Sequence, residues 1–269
     1  MPRVSHGRGS PKRTAVRADA AWRAKLWFPA VPRAGGAARV PRIPVRAEDD
    51  QQRHPMKLYS YFRSSASYRV RIALNLKQLP YETVPVHMLR DGGEQLKDAY
   101  RAVNPDAVVP SLVDGDATLQ QSLAIIEYLE ETHPEPALLP TQPLDRAYVR
   151  AIALQVACEI HPLNNLRVLK YLKHTLKVPE EAKNAWYRHW IEAGFASLET
   201  RLANDPRTGK LCFGDTPTLA DICVVPQVFN ANRFSIDTTR FPTIRRIADY
   251  ASTLDAFKAA EPGAQPDAE

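Results

Sequence analysis

Tyr59-Ser60-Tyr61-Phe62-Arg63-Ser64-Ser65-Ala66-Ser67-Tyr68-Arg69-Val70-Arg71 reads as a strand end, a hydroxyl-bearing turn and the opening of a helix. Met56 to Phe62 is short and rich in Tyr, Leu and Phe, as a buried strand is. From Ala66 onward the apolar residues Val70, Ala73, Leu74, Leu76 and Leu79 follow a helical spacing. Ser64 or Ser65 is placed to cap that helix. A helix N-terminus leaves backbone N–H groups unpaired and concentrates positive potential. Two serines there, with Arg63 and Arg69 close in sequence, make a site for an anion. A thiolate is such an anion, and its pKa falls in such surroundings.

Working outward, the spacing predicts a helix over 66–77, a turn at Pro80 and a second strand over 81–86. That strand–helix–strand unit of about thirty residues has the length of a right-handed parallel crossover. A polar loop over 87–93 leads to a predicted helix over 94–103, ended by Asn104-Pro105. Residues 108–113 bend into a strand, and Asp114-Gly115-Asp116 turns it back into 117–119. A short helix over 122–131 follows, with Ser122 at its cap and Pro134 and Pro136 beyond it. Residues 56–139 thus form a first unit, a mixed four-stranded sheet with helices.

Residues 145–260 read as a second, all-helical unit. Asp145 caps a pattern over 146–161 that Pro162 interrupts, and 163–176 continues it with Leu166, Leu169 and Leu172 on one face. Pro179 opens a helix over 180–204, with Trp186, Trp190, Phe195, Leu198 and Leu202 assigned to its core side. Thr218-Leu219-Ala220-Asp221 has the form of a capping box, with Asp for the usual Glu, opening a helix over 222–229. A last helix covers 243–254, and the polar tail from Pro262 reads as loose.

The 269-residue chain carries a formal net charge of +6, unevenly spread. Residues 1–55 hold 12 of the 36 Lys and Arg but only 4 of the 30 Asp and Glu, so the remainder is slightly acidic. A nucleic-acid partner would therefore rest on the leader alone. No run reaches the length of a membrane span. The leader is rich in Pro, Gly, Ala and Arg without an apolar period, and cannot bury enough surface to offset its ordering entropy. It reads as a basic tail, as an organellar targeting peptide, or as sequence upstream of a true start at Met56, the last being favoured because Met56 opens directly onto the first strand. Cys158, Cys212 and Cys223 form no C-x-x-C pair and read as buried hydrophobes in a reducing, cytoplasmic compartment, with no metal site.

Residues 64–74, Ser64-Ser65-Ala66-Ser67-Tyr68-Arg69-Val70-Arg71-Ile72-Ala73-Leu74, resemble the S-S-C-x-W-R-V-R-I-A-L signature of the zeta class of soluble glutathione transferases. Gln121-Ser122-Leu123-Ala124-Ile125-Ile126-Glu127-Tyr128-Leu129 is similar to that class too, as are residues 214–221 and Val225-Pro226-Gln227-Val228. The resemblance covers 56 to about 260 and implies a thioredoxin-like domain followed by an all-helical one. It implies that Ser64 donates to a glutathione thiolate, with Ser65, Ala66, Ser67, Tyr68 and Arg69 at the same helix start. Val109, before a cis Pro110, would pair its backbone with the cysteinyl part; Gln121 and Ser122 would hold the γ-glutamyl carboxylate, and Gln95 would lie near the glycyl end. His161, Asn165, Leu166 and Arg167 would reach the cleft from the helical unit. Arg233 would match an arginine that binds a substrate carboxylate, and Arg63, Arg167 and Arg233 are the candidates to grip carboxylates and meet an enolate-like charge. Read from the residues alone, Ser64 and Ser65 are caps first, Gln121 and Ser122 are cap or ligand, His161 is a helix-end histidine or a ligand contact, and one of Arg69 and Arg71 is an internal ion-pair member.

The sequence departs from the class pattern at two points: Ala66 stands where the class has cysteine, and Tyr68 where it has tryptophan. Ala66 supplies no thiol, so the nucleophile would be the sulfur of glutathione. The implied activity is the glutathione-dependent cis–trans isomerisation of a dicarboxylic keto acid, maleylacetoacetate of tyrosine and phenylalanine breakdown, by a homodimer. The alternatives are maleylpyruvate of the gentisate route, general conjugation, and a non-catalytic binding protein.

Overall fold

The computed structural model describes residues 55–269; the readings of the leader fall on residues outside those described. Strand β1 (Met56–Ser60) pairs in parallel with β2 (Tyr81–Pro85), and helix α1 (Ser65–Leu76) crosses between them. Strands β3 (Ser111–Asp114) and β4 (Ala117–Gln120) complete a sheet of order β2-β1-β3-β4, both antiparallel to their neighbours. Leu58 faces Leu112, and Leu112 faces Leu119, so one apolar row fixes the register across three strands. The two-residue hairpin places Gly115 at φ 57°, a left-handed conformation that glycine adopts freely.

Helix α1 is buried all round. Val70, Ile72, Ala73 and Leu74 have no exposed surface, because α1 lies between α3 (Ser122–Thr132) on one side and α7 (Leu219–Arg233) and α9 (Asp255–Ala260) on the other. At its C-terminal end Lys77 Nζ meets Glu130 Oε2 at 2.8 Å and the carbonyls of His133 and Pro136. Glu130 in turn accepts the N–H groups of Leu138 and Leu139. This buried pair is fully hydrogen-bonded, the condition under which a desolvated pair is tolerated.

The helical part follows as α4 (Pro143–Leu154), α5 (Leu166–Lys170), α6 (Glu180–Asn204), α7, α8 (Pro242–Ala251) and α9. Thr218 and Asp221 form the reciprocal capping box at the head of α7: Asp221 Oδ2 accepts the Thr218 N–H at 2.8 Å, and Oδ1 accepts the Cys212 N–H at 2.7 Å. Helix α6 has the predicted bounds.

Several expectations need correction. The single helix over 94–103 is a 3-10 turn at Glu94–Leu96 and a short α2 (Asp98–Arg101), divided at Lys97, whose backbone is extended at φ -77° and ψ 149°. The cap of α4 is Gln142; Asp145 lies in the first turn, where its Oδ1 accepts from Arg207 Nη1 at 2.8 Å. The cap of α3 is Gln121 and Ser122 is its first residue. Residues 155–176 are not continuous α-helix: π-helical turns at Gln155–Ile160 and Tyr171–Thr175 flank a 3-10 turn and the short α5. The buried stripe of α6 is Tyr187, Ile191, Phe195, Leu198 and Leu202, while Trp186 and Trp190 are half-buried. Helix α7 runs four residues beyond Phe229, through Pro226. Cys158 is exposed; Cys212 and Cys223 are buried. The region after α8 holds α9, and the tail from Pro262 is docked, with Pro262 and Gln265 buried.

Candidate active site

The sheet leaves β1 at Ser60, and the chain turns through 61–64 into α1. Ser64 is the cap: its Oγ accepts the Ser67 N–H at 3.2 Å, and its carbonyl accepts the Tyr68 N–H at 2.8 Å. A hydroxyl has one proton and two lone pairs. The cap uses a lone pair, so the O–H remains free to donate outward, and capping and ligand binding are compatible in one side chain.

That hydroxyl faces a cleft of about 750 Å³, part of it open to solvent. From the sheet side its wall is Tyr61, Arg63, Ser64, Ser65, Ala66, Met88, Leu89, Val108 and Val109. From the helical side it is His161, Asn164, Asn165, Leu166, Asn230 and Arg233. The Val109–Pro110 bond is cis, and no hydrogen bond among the described residues takes the Val109 N–H or C=O. Those groups are placed to pair with an extended peptide. Arg63 and Arg233 lie over the Phe62 and Phe234 rings at 4.7 and 4.9 Å, and neither meets an acidic partner among the described residues. The cleft therefore holds two guanidinium groups whose charge is not cancelled, suited to two carboxylates.

The π turn before His161 is pressed against α6 at Gly194, where a Cβ would lie 2.4 Å from Ile160 Cγ1. His161 follows directly. Burial, with the charges of Arg69 and Arg167, pushes its pKa down to about 3, so its ring is neutral. Asn165 Oδ1 accepts the Arg167 N–H at 3.1 Å and caps α5.

The start of α3 is not part of this wall, so neither Gln121 nor Ser122 lines the cleft. Ser122 is buried, and Arg69 Nη1 donates to its Oγ at 3.3 Å. Gln121 is exposed with φ 67°.

Not every anticipated residue reaches the cleft. Ser67 is wholly buried and Tyr68 is 2% exposed, its ring edge-on to Phe229 at 6.1 Å; both belong to the core between α1 and α7. Arg69 is likewise buried, and its contact is with Ser122. Among the described residues neither Arg69 nor Arg71 forms an ion pair; Arg71 donates to carbonyls and a hydroxyl. Gln95 is buried under its own loop, Nε2 directed to the Met88 carbonyl at 3.5 Å. Arg167 is exposed and outside the cleft wall. Tyr61, Met88, Leu89, Val108, Asn164 and Asn230 were not assigned from the sequence. Asn164 is next to Asn165 and Asn230 three residues before Arg233, so residues named from the sequence stand close to both; the others carry no local signal.

The glutathione S-transferase N-terminal domain model matches residues 58–137. A probable maleylacetoacetate isomerase of Vibrio cholerae serotype O1 is 52% identical over 211 residues, covering 78% of this chain and 97% of that protein. A holo structure of maleyl pyruvate isomerase, described as a bacterial zeta-class glutathione S-transferase, superposes with a TM-score of 0.77 at 52% identity, covering 79% of this chain and all of that one. A maleylacetoacetate isomerase from Methylobacterium extorquens AM1, solved with malonate and glutathione bound, has a TM-score of 0.76 at 43% identity, covering 79% and 99%. The chain belongs to the glutathione transferase family. Within it, the signature at 64–74 and these relatives place it in the zeta class.

Proposed function

We propose that the protein is a glutathione-dependent cis–trans isomerase of maleylacetoacetate. The observation that carries this reading is the sharing of one cleft by the Ser64 hydroxyl, at the α1 N-terminus, and two uncancelled cations, Arg63 and Arg233. The residues fit glutathione: Val109 offers an open backbone edge, and the α3 start offers Ser122 backed by a buried guanidinium.

When bound, glutathione supplies a thiolate that adds reversibly to the polarised double bond, which becomes a single bond free to rotate. Ser64 would donate its free O–H to that sulfur, and the helix N-terminus would add positive potential, so the ionised form would be favoured. Arg63 and Arg233 hold the carboxylates of the acid. Whichever lies beside the ketone also meets the negative charge that grows on its oxygen. Neutral His161 adds no third charge. Ala66 provides no competing protein thiol, so a cleft cysteine has no part in the step.

Maleylpyruvate is the second reading, favoured by the 52% identity to an isomerase of that acid, equal to the identity with the maleylacetoacetate relative. The proposal extends to a cytoplasmic homodimer, supported by free cysteines and by Leu154 and Tyr171, which are 47% and 56% exposed on the helical part. Among the described residues no helix is long and apolar enough to cross a membrane.

The test is turnover of maleylacetoacetate and maleylpyruvate with and without glutathione, in the wild type and in Ser64→Ala. Loss of one charge-assisted hydrogen bond predicts a fall in kcat/KM of about 10- to 100-fold. Glutathione-dependent turnover unchanged in Ser64→Ala would remove the role given to Ser64.

A further inference from the structure

The segment after α9 bonds to residues next to two parts of the sheet-side wall of the cleft, Phe62 beside Arg63 and Arg90 beside Leu89, without lining the cleft. Strand β1 ends at Ser60, so the peptide groups of 61–63 have no sheet partner and must be satisfied otherwise. The Phe62 N–H donates to Asp267 Oδ2 at 3.0 Å, across 205 residues of sequence. The Phe62 carbonyl accepts from Arg71 Nη2 at 3.0 Å, and Arg71 Nε donates to the Ala260 carbonyl at 3.0 Å. Both peptide groups of the residue before Arg63 are thus held by a network that includes the chain after α8.

Asp267 is itself held in place. Gln265 is buried and its Nε2 donates to the carbonyls of Ala259 and Glu261 at 2.9 and 2.8 Å. Two residues past Asp267, Glu269 Oε1 accepts from Arg90 Nη2 at 2.7 Å and lies 3.3 Å from His87 Nε2. His87 Nδ1 accepts the backbone N–H groups of Leu89 and Arg90. Met88 and Leu89 form the facing part of the cleft wall.

We infer that residues 262–269 are a strap joining two parts of the sheet-side wall of the cleft, and that Asp267 is a positioning residue for Arg63 and Ser64, acting through the Phe62 peptide. The direction of the Arg63 side chain and of the Ser64 hydroxyl is set by the backbone that Asp267 anchors. A hydrogen bond from a backbone N–H to a carboxylate is among the stronger kinds. The inference rests on the roles proposed above for Arg63 and Ser64.

The test compares Asp267→Ala, which removes the acceptor, with Asp267→Asn, which keeps an amide oxygen for the Phe62 N–H. Four quantities are read in the full chain: hydrogen exchange at the Phe62 amide, pKa of the bound glutathione thiol from thiolate absorbance, kcat/KM and melting temperature. Asp267→Ala should speed Phe62 exchange, raise the bound-thiol pKa and lower kcat/KM about tenfold, the scale expected when catalytic groups are misplaced by a fraction of an ångström. Asp267→Asn should restore all three to within about threefold of wild type, since the bond and not the charge is at issue. An unchanged thiol pKa and kcat/KM in Asp267→Ala, or failure of Asp267→Asn to rescue them, would overturn the inference. Should Asp267→Ala not fold, Glu269→Ala, which removes the acceptor for Arg90, reads the second anchor: glutathione Kd should weaken about threefold as the Met88–Leu89 wall loosens, and an unchanged Kd counts against the strap. If the wild type binds glutathione but isomerises neither acid, the substrate reading fails while the exchange and thiol measurements still judge the strap.

Discussion

Arg69 and Arg71 stand two residues apart on one helix, 2% and 0% exposed, and their surroundings make them different kinds of residue. Two positions along an α-helix turn the side chain by roughly 200°, so they leave opposite sides of α1. Arg71 points to the strand end and α9. Its donors are spent on the carbonyls of Ala260, Tyr61 and Phe62 and on Ser60 Oγ. Arg69 points to the start of α3 and the helical side. It makes one bond, to Ser122, and its Nε and Nη2 have no partner among the described residues. Burial lowers the pKa of both, Arg71 to about 10. The residue type and the burial are the same; the acceptors decide the role. Arg71 is complete as a structural staple, whereas Arg69 is a buried cation beside a helix start assigned to a ligand carboxylate.

Arg71→Met should have the largest effect, and on stability. It would leave three buried carbonyl oxygens without that donor, at a cost of about 3–5 kcal/mol in denaturant unfolding. Arg69→Met should act on the ligand instead. Glutathione Kd should rise about 10- to 100-fold by calorimetry, while unfolding free energy changes far less, because an incompletely paired buried charge is replaced by an apolar side chain. A glutathione analogue lacking the γ-glutamyl α-carboxylate should bind wild type and Arg69→Met alike. If Arg69→Met lost as much stability as Arg71→Met and kept its glutathione affinity, the two arginines would be two staples and the comparison would collapse.

The sequence carries this contrast only in part. Local signals were legible: a serine cap at Ser64 or Ser65, the Thr218–Asp221 box and the bounds of α6 all depend on residues near each other in the chain, while the cis bond at Val109–Pro110 came from the family resemblance. What sequence could not supply are contacts closed over long separations. Both arginines lie in one motif, and nothing near them says that one meets Ser122, 53 residues away, and the other Ala260, 189 away. The tail reads as polar and loose because its partners, Phe62 and Arg90, lie about 180 to 205 residues upstream. The π turn before His161 packs its Ile160 against Gly194 of α6, a contact between two helices that the apolar period does not encode. Tyr61, Met88 and Leu89 become cleft residues only because the sheet brings the ends of β1 and β2 together.

The smallest predicted effect extends the comparison to His161. Its ring is kept neutral by burial first, then by the charges of Arg69 and Arg167, and its native pKa lies near 3 against an ordinary 6.5. Between those two values the unfolded chain binds a proton that the native protein does not. The stability linked to His161 is therefore complete above pH 6.5 and is lost progressively as the pH falls towards 3. His161→Asn should flatten the pH dependence of unfolding across that window, as followed by denaturant titration at several pH values. Arg69→Met should raise the His161 pKa, as read by NMR titration, because one of the two cations that disfavour the imidazolium is gone. Arg71→Met should leave it where it is, since Arg71 faces away from His161 and is not among the charges that act on it. Equal shifts in the two variants would mean that both charges are felt across the helix, and that the division of α1 into a ligand side and a structural side does not hold electrostatically.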